Sequence, residues 1–263
     1  MHNRQPIGIF DSGIGGLSVL KEIQQLLPNE DLIYIADSAH APYGNKPHEF
    51  IQQRCETLCR FLIEQQARAI VIACNTATAV AVAKLREQFA LPIIAMEPGV
   101  KPAIAATKTG VVGVLATQNT LASEQFAKLL HRYAANVKVV SQPCPGLVEQ
   151  IENGEFDSAR TQGLIEEYAR PLLDAGADTI VLGCTHYPLI LEQIIRITGP
   201  DIAIIETGQA VALQLKRKLE EQTLLGIAND SGRVSFWTSG DTRHIAAVVS
   251  RLMGNKVSVA SCP

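Results

Sequence analysis

Short runs of aliphatic and β-branched residues alternate along this chain with longer segments whose apolar positions recur every three or four residues, the signatures of buried strands and amphipathic helices. The pattern predicts strands at Pro6–Phe10, Leu32–Ala36, Ala69–Ala73 and Ile93–Met96, separated by helices at Gly15–Leu27, Pro47–Gln66 and Asn75–Phe89. It then starts again. Strands at Val111–Leu115, Val137–Val140, Thr179–Leu182 and Ile202–Ile205 are interleaved with helices at Asn119–Tyr133, Leu147–Asn153, Ser158–Ala175 and His186–Ile197. The remainder gives a helix at Gly208–Gln222, a strand at Val234–Thr238, a helix at Thr242–Met253 and a last strand at Val257–Val259. Strands that are apolar throughout and followed by helices predict mostly parallel sheets covered on both faces, an α/β protein.

Two stretches of this pattern are near-copies. Ile70-Val71-Ile72-Ala73-Cys74-Asn75-Thr76 and Ile180-Val181-Leu182-Gly183-Cys184-Thr185-His186 each run from aliphatic residues through a small residue to a cysteine and a polar pair. Gly8-Ile9-Phe10-Asp11-Ser12 is echoed in the same way by Gly113-Val114-Leu115-Ala116-Thr117. Each half therefore opens on a strand and reaches a cysteine-bearing strand end. The expected architecture is two pseudo-symmetric domains, each a mostly parallel sheet flanked by helices, with the active site in the cleft between them. Residues 1–97 together with 208–263 are expected to form the first domain and 98–207 the second. Glu97-Pro98-Gly99 and Glu206-Thr207-Gly208 are the expected crossovers. One continuous large sheet is the competing arrangement.

Composition narrows the function classes. With 47% hydrophobic and 19% charged residues among 263, the chain can bury a sizeable core. A net charge of −3 without a dense basic tract argues against nucleic acid as the principal partner. No apolar run approaches the ~18 residues of a membrane span, and the residues after Met1 lack the apolar region of a signal peptide. A cytoplasmic protein is expected. The six cysteines are accordingly expected to be free. Cys55 and Cys59 share a helix face and are expected in the core, while Cys144 and Cys262 carry no motif. No metal-ligand spacing is evident, so no metal is expected.

Candidate chemistry gathers where the apolar runs stop, as it does in parallel α/β folds. Asp11-Ser12-Gly13-Ile14-Gly15-Gly16 is a glycine-rich turn whose N–H groups can hold a carboxylate or phosphate. It lacks the Lys-Ser/Thr of a P-loop and the third glycine of a dinucleotide fingerprint; helix capping by Asp11 or Ser12 is the simpler alternative. Tyr43-Gly44, in a proline-glycine loop, is either an ordinary turn or a pocket wall. Cys74 is followed by Asn75 and Thr76, and Cys184 by Thr185 and His186, whose imidazole can pair with a thiol and tune its pKa. A single such cysteine reads as buried packing; a matched pair reads as two thiols used together. Glu149 is an acid that its loop can bring to the second thiol. Two facing thiols suit proton removal from one face of an amino-acid Cα and delivery to the other. No Lys stands at the cysteine-bearing strand ends, which leaves no candidate for a pyridoxal Schiff base. The remaining histidines, His2, His40, His48, His131 and His244, show no partner pattern and are expected at the surface or in packing.

Four blocks, Gly8–Leu17 (GIFDSGIGGL), Ala36–Lys46 (ADSAHAPYGNK), Ile70–Ala79 (IVIACNTATA) and Val181–Leu189 (VLGCTHYPL), resemble the signature blocks of the glutamate racemases of the aspartate/glutamate racemase family. The resemblance runs over nearly the whole chain. It implies a cofactor-independent enzyme that interconverts L- and D-glutamate and supplies D-glutamate for peptidoglycan. By the resemblance, Cys74 and Cys184 are the acid/base cysteines, Asp11 assists the first, and His186 with Glu149 lies near the second. Asp11, Ser12, Tyr43, Gly44, Asn75, Thr76, Thr117, Thr185 and His186 match substrate-binding positions. Ser38 and His40 stand where Thr and Arg are frequent, and Glu206 replaces a more usual Asp. Glutamate is the implied partner, and a homodimer is a compatible assembly. A sibling enzyme acting on aspartate, a hydantoin or maleate is one alternative. A binding module on a degenerate racemase-like fold is the other, against which the intact cysteines, Asp11 and His186 argue.

Overall fold

The computed structural model of the protein describes residues 5–226 and 230–263, so His2 lies outside the described residues. The strands among these residues are β1 (Ile7–Asp11), β2 (Leu32–Ala36), β3 (Ala69–Ile72), β4 (Ile93–Ala95), β5 (Val111–Ala116), β6 (Lys138–Pro143), β7 (Thr179–Gly183), β8 (Ala203–Ile205), β9 (Val234–Thr238) and β10 (Val259–Ser261). They form two sheets, ordered β10-β9-β2-β1-β3-β4 and β6-β5-β7-β8, and every pairing is parallel. The central strands β1, β2, β3 and β7 are buried along their whole length, which is why their sequences are apolar runs without alternation.

Helices α1 (Leu17–Leu26), α2 (His48–Glu64) and α3 (Asn75–Gln88) cover the first sheet in chain order, and α4 (Val100–Ala106) leads to the second. There follow α5 (Gln118–Leu121), α6 (Glu124–Tyr133), α7 (Leu147–Glu152), α8 (Ala159–Asp174) and α9 (Leu191–Thr198). The chain then returns through α10 (Gly208–Glu221), which packs on α1, to β9 beside β2 and finally α11 (Thr242–Met253). The order β2-β1-β3-β4 in one sheet and β6-β5-β7-β8 in the other is the same topology twice. In each, the opening strand lies between its next two successors, and the carboxyl ends at that point of reversal open a crevice. Asp11 and Cys74 stand at this point in the first sheet, Thr117 and Cys184 at the matching point in the second.

One core cluster passes through both halves. It joins Ile7, Leu17 and Leu20 to Leu147, Ile151, Leu182 and Ile190. A second cluster lies under α2, where Ile51, Cys55, Leu58, Cys59 and Leu62 fall on one helix face against Phe10, Ile33 and Ile35. Cys55 and Cys59 are thus core residues, and burial pushes the Cys59 thiol up to about 12.

Several expected elements change on folding. The helix expected over Asn119–Tyr133 is two, because Thr117 caps α5 and Ser123 caps α6, accepting the Phe126 N–H at 3.1 Å. The helix expected from His186 starts as a 3₁₀ turn at Tyr187–Ile190 and becomes α-helical at Leu191. Helix α4 is additional; Pro102 is accommodated because it lies in the first turn, where an N–H has no intrahelical acceptor. The last strand falls two residues later than the apolar pattern placed it.

Candidate active site

Each cysteine takes its position from the strand before it. After β3 the chain bends at Cys74, whose sulfur accepts the Ala77 N–H at 3.4 Å and so caps α3. A thiol here faces the positive end of a helix, which favours its thiolate. After β7 the chain reaches Cys184, and the following 3₁₀ turn brings His186 Nδ1 to 3.7 Å from the sulfur. Both thiols line one cavity of about 10 Å³, with Ser12, Tyr43, Gly44, Asn75, Thr76, Thr117, Thr185 and His186 around them. The cavity has room for roughly one water molecule.

Asp11 lies beneath this cavity, fully buried at the end of β1. Its carboxylate accepts Ser12 N–H at 2.7 Å, Gly16 N–H at 2.5 Å and the Thr185 hydroxyl at 3.2 Å. Ser12 in turn has its hydroxyl 3.7 Å from the Cys74 sulfur. On the other side His186 Nε2 meets Glu152 Oε1 at 2.6 Å. The same oxygen accepts Ile14 N–H at 2.7 Å, and Glu152 Oε2 accepts the Ser38 hydroxyl at 3.1 Å. Gly13 and Gly15 make this approach feasible, since a Cβ would sit 2.0 Å from Glu152 Oε1 in one case and 2.3 Å from His186 Nδ1 in the other.

Burial and charge set distinct protonation tendencies on the two sides. Desolvation raises the Asp11 carboxyl above its usual value against the pull of His186. Desolvation and the Asp11 charge together push the Cys74 thiol well up, against the Ala77 N–H. For His186, desolvation disfavours the imidazolium, but hydrogen bonds to Cys184 and Glu152 outweigh it and raise the pKa well above the ordinary histidine value. Asn75 is 3% exposed, yet neither its amide nitrogen nor its amide oxygen has a partner among the described residues. A buried amide left open in this way is ready to bind a ligand that both donates and accepts hydrogen bonds.

The loop carrying Tyr43 and Gly44 is anchored from behind. Tyr43 Oη donates to Asp37 Oδ2 at 2.5 Å, and Arg54 donates to both Asp37 oxygens, at 3.1 and 2.8 Å. His40 Nδ1 lies 2.9 Å from the same carboxylate, so this histidine has a partner the sequence pattern did not reveal. Desolvation of Asp37 is outweighed by Arg54 and Tyr43, which hold its carboxyl below the usual range.

The sequence model of the Asp/Glu/Hydantoin racemase family matches residues 7–215, which include all of these strand ends. The chain belongs to that family. As a member it is an isomerase of the amino-acid racemase kind. It is 54% identical over 238 residues to a glutamate racemase of Methylococcus capsulatus, covering 90% of this chain and 88% of that one. Among solved structures, a glutamate racemase isoform from Bacillus anthracis superposes with a TM-score of 0.90 at 35% identity, covering 100% of this chain and 98% of that one. The glutamate racemase of Francisella tularensis, solved with D-glutamate, gives 0.84 at 33% identity over 98% and 96%.

One expected site residue of this racemase-family chain needs correction. Glu149, in the first turn of α7, lines a neighbouring pocket with Gly44, Thr117 and Cys144. The carboxylate that reaches His186 is Glu152, at the end of the same helix. Glu152 is followed by Asn153-Gly154, with Gly154 at φ 77°, so it falls in the last turn, where the helix dipole disfavours an acid. The hydrogen bond to His186 Nε2 at 2.6 Å offsets that cost.

Proposed function

We propose that this protein is a glutamate racemase that interconverts L- and D-glutamate with two cysteine bases and without a cofactor. The observation that carries the reading is the pair of thiols, Cys74 and Cys184, on one small cavity with separate helpers. In this reading residues 1–97 with 208–263 are one domain, 98–207 the other, and the substrate is held between them. D-glutamate bound to the Francisella tularensis relative, at 33% identity, supports the substrate class.

The chemistry follows from the arrangement. The Cα proton of an amino acid is weakly acidic, so its base must be close and the developing carbanion must be stabilised at the α-carboxylate. One thiolate takes the proton, the electron pair passes into the α-carboxylate, and the opposite thiol returns a proton to the other face. The configuration inverts and the two sulfurs exchange protonation states. Asp11 assists Cys74, and its raised pKa suits a carboxyl that shares a proton with a neighbouring thiol. His186, backed by Glu152, assists Cys184. Asn75, with its unpartnered amide, and Ser12, Thr76, Thr117, Thr185, Tyr43 and Gly44 hold the substrate's carboxylates and ammonium. The incoming ammonium adds a positive charge that favours a thiolate in a site where burial otherwise opposes one. In a cell the product would supply D-glutamate for peptidoglycan.

The deciding measurement is optical rotation of L-glutamate and L-aspartate with purified protein and no added cofactor. Glutamate rotation should decay to zero while aspartate is stable; the reverse would hand the activity to the sibling substrate. In D₂O each glutamate enantiomer should take up deuterium at Cα as it inverts. Cys74→Ala and Cys184→Ala should each abolish racemisation, and activity should survive chelators.

A further inference from the structure

The cavity between the thiols has room for about one water, far less than an amino acid needs. The contacts that hold its walls together must therefore part for the substrate to enter and re-form around it. Most of them join groups already placed in the site, such as Thr76 Oγ1 to Thr117 Oγ1 at 2.8 Å. One contact is different. Asn119, in α5 on the four-stranded side, donates its Nδ2 hydrogens to Tyr43 O and Lys46 O, both at 2.9 Å. These are the carbonyls at either end of the turn that carries Gly44 on the six-stranded side. Two carbonyl acceptors can be met only by the NH₂ face of an amide, so the orientation is fixed by chemistry.

Asn119 lines neither the cavity between the thiols nor the neighbouring pocket, so it does not touch a substrate there. It acts through the turn. Gly44 lies so close to Thr117 that a Cβ on it would come within 2.7 Å of the Thr117 Cβ, and a small retreat of the turn would open the wall. In an open cleft, water takes over both carbonyls and the amide, so the clamp is a modest and reversible bias.

We propose that Asn119 is a positioning residue for the reaction, clamping the Tyr43–Lys46 turn across the cleft and setting the balance between closed and open forms. The proposal rests on the racemase reading of the cavity, but the clamp itself has a readout independent of activity. Removing the amide favours the open form, so Asn119→Ala should raise KM for both glutamate enantiomers about five- to tenfold and leave kcat within about twofold. Asn119→Asp, which sets a carboxylate against two carbonyl oxygens, should raise KM further. Amide hydrogen exchange over residues 43–46 should quicken in both variants, with the urea midpoint unchanged. An unchanged KM with unchanged exchange would overturn the clamp. So would a fall in kcat at constant KM, or a loss of global stability that accounts for the change in KM. If the wild-type protein leaves glutamate unracemised, the functional reading fails, and the exchange of residues 43–46 still decides whether Asn119 holds the turn.

Discussion

Cys74 and Cys184 occupy equivalent strand ends, yet the ionisable neighbours we propose as their helpers differ in kind. Asp11 is a buried acid held by backbone N–H groups, whereas His186 is an imidazole whose hydrogen bonds to Cys184 and Glu152 raise its pKa against desolvation. In a racemase the substrate and product are mirror images, so the equilibrium constant is one and kcat/KM must be equal in the two directions. Asymmetry between the helpers therefore cannot appear in that ratio; it can appear only in kcat and KM taken separately and in isotope effects. Glu152→Gln keeps a neutral acceptor beside His186 but removes the charge that supports its imidazolium. The expected result is a loss of about 10²-fold in kcat/KM, equal for both enantiomers. The primary deuterium effect from Cα should rise in one direction more than in the other. A change confined to KM, with isotope effects as in wild type, would show that Glu152 only binds. Glu149→Gln should leave both quantities near wild type, because that carboxylate faces the neighbouring pocket.

The elements around the site make a comparable point about the pocket wall. The Tyr43–Asn45 turn is short and irregular, and its rigidity comes from Asp37 behind it, which is fully buried and bound by Tyr43, Arg54 and His40. Replacing Arg54 with Met leaves a buried carboxylate without its cation, which should cost about 3 kcal/mol at neutral pH. The Asp37 carboxyl is held below its unfolded value of about 3.9, so its contribution is complete above that pH and is lost as pH falls through the lower folded value. Unfolded Asp37 titrates alike in both proteins, so the difference in urea stability between wild type and Arg54→Met should shrink on acidification, as the carboxyl that has lost its cation takes up a proton before the wild-type one does. A difference that is constant with pH would mean that Arg54 acts by packing. This network also marks where sequence reading stopped. Strands such as β3 and β7 were legible because wholly buried parallel strands leave uninterrupted apolar runs, and the paired cysteines were legible because they end those runs. The Asp37–Arg54 pairing was not, because seventeen positions of chain separate the partners and only the fold brings them together. Glu152 escaped for a related reason: acids at 149 and 152 are both plausible on one short helix, and only its docking against Gly13 and Ile14 selects between them.

At the scale of the molecule, two sheets with the same strand order could fold as independent units, but the packing argues otherwise. The largest apolar cluster includes Ile7, Leu17 and Leu20 beside the first sheet and Leu147, Ile151 and Ile190 beside the second, so neither half can expose its share without exposing the other's. Hydrogen bonds at the site add to this coupling, with Thr185 of one half on Asp11 of the other and Glu152 on Ile14. Shared buried area of this kind makes partial unfolding costly and favours one cooperative transition. The chain offers a clean probe of the question. Its one tryptophan, Trp237, is in β9 of the six-stranded sheet, with its ring 5.1 Å from that of Phe61. Tryptophan fluorescence therefore reports the first half alone, while far-ultraviolet circular dichroism reports the helices of both. In urea the two signals should trace the same curve with one midpoint. A circular dichroism curve with two steps, only one of them shared by Trp237, would show that the halves unfold separately and that the common core does not couple them. The measurement bears on catalysis as well as folding, because opening the cleft to admit substrate must then be a rearrangement at the polar crevice, around contacts such as the Asn119 clamp, that leaves this core intact.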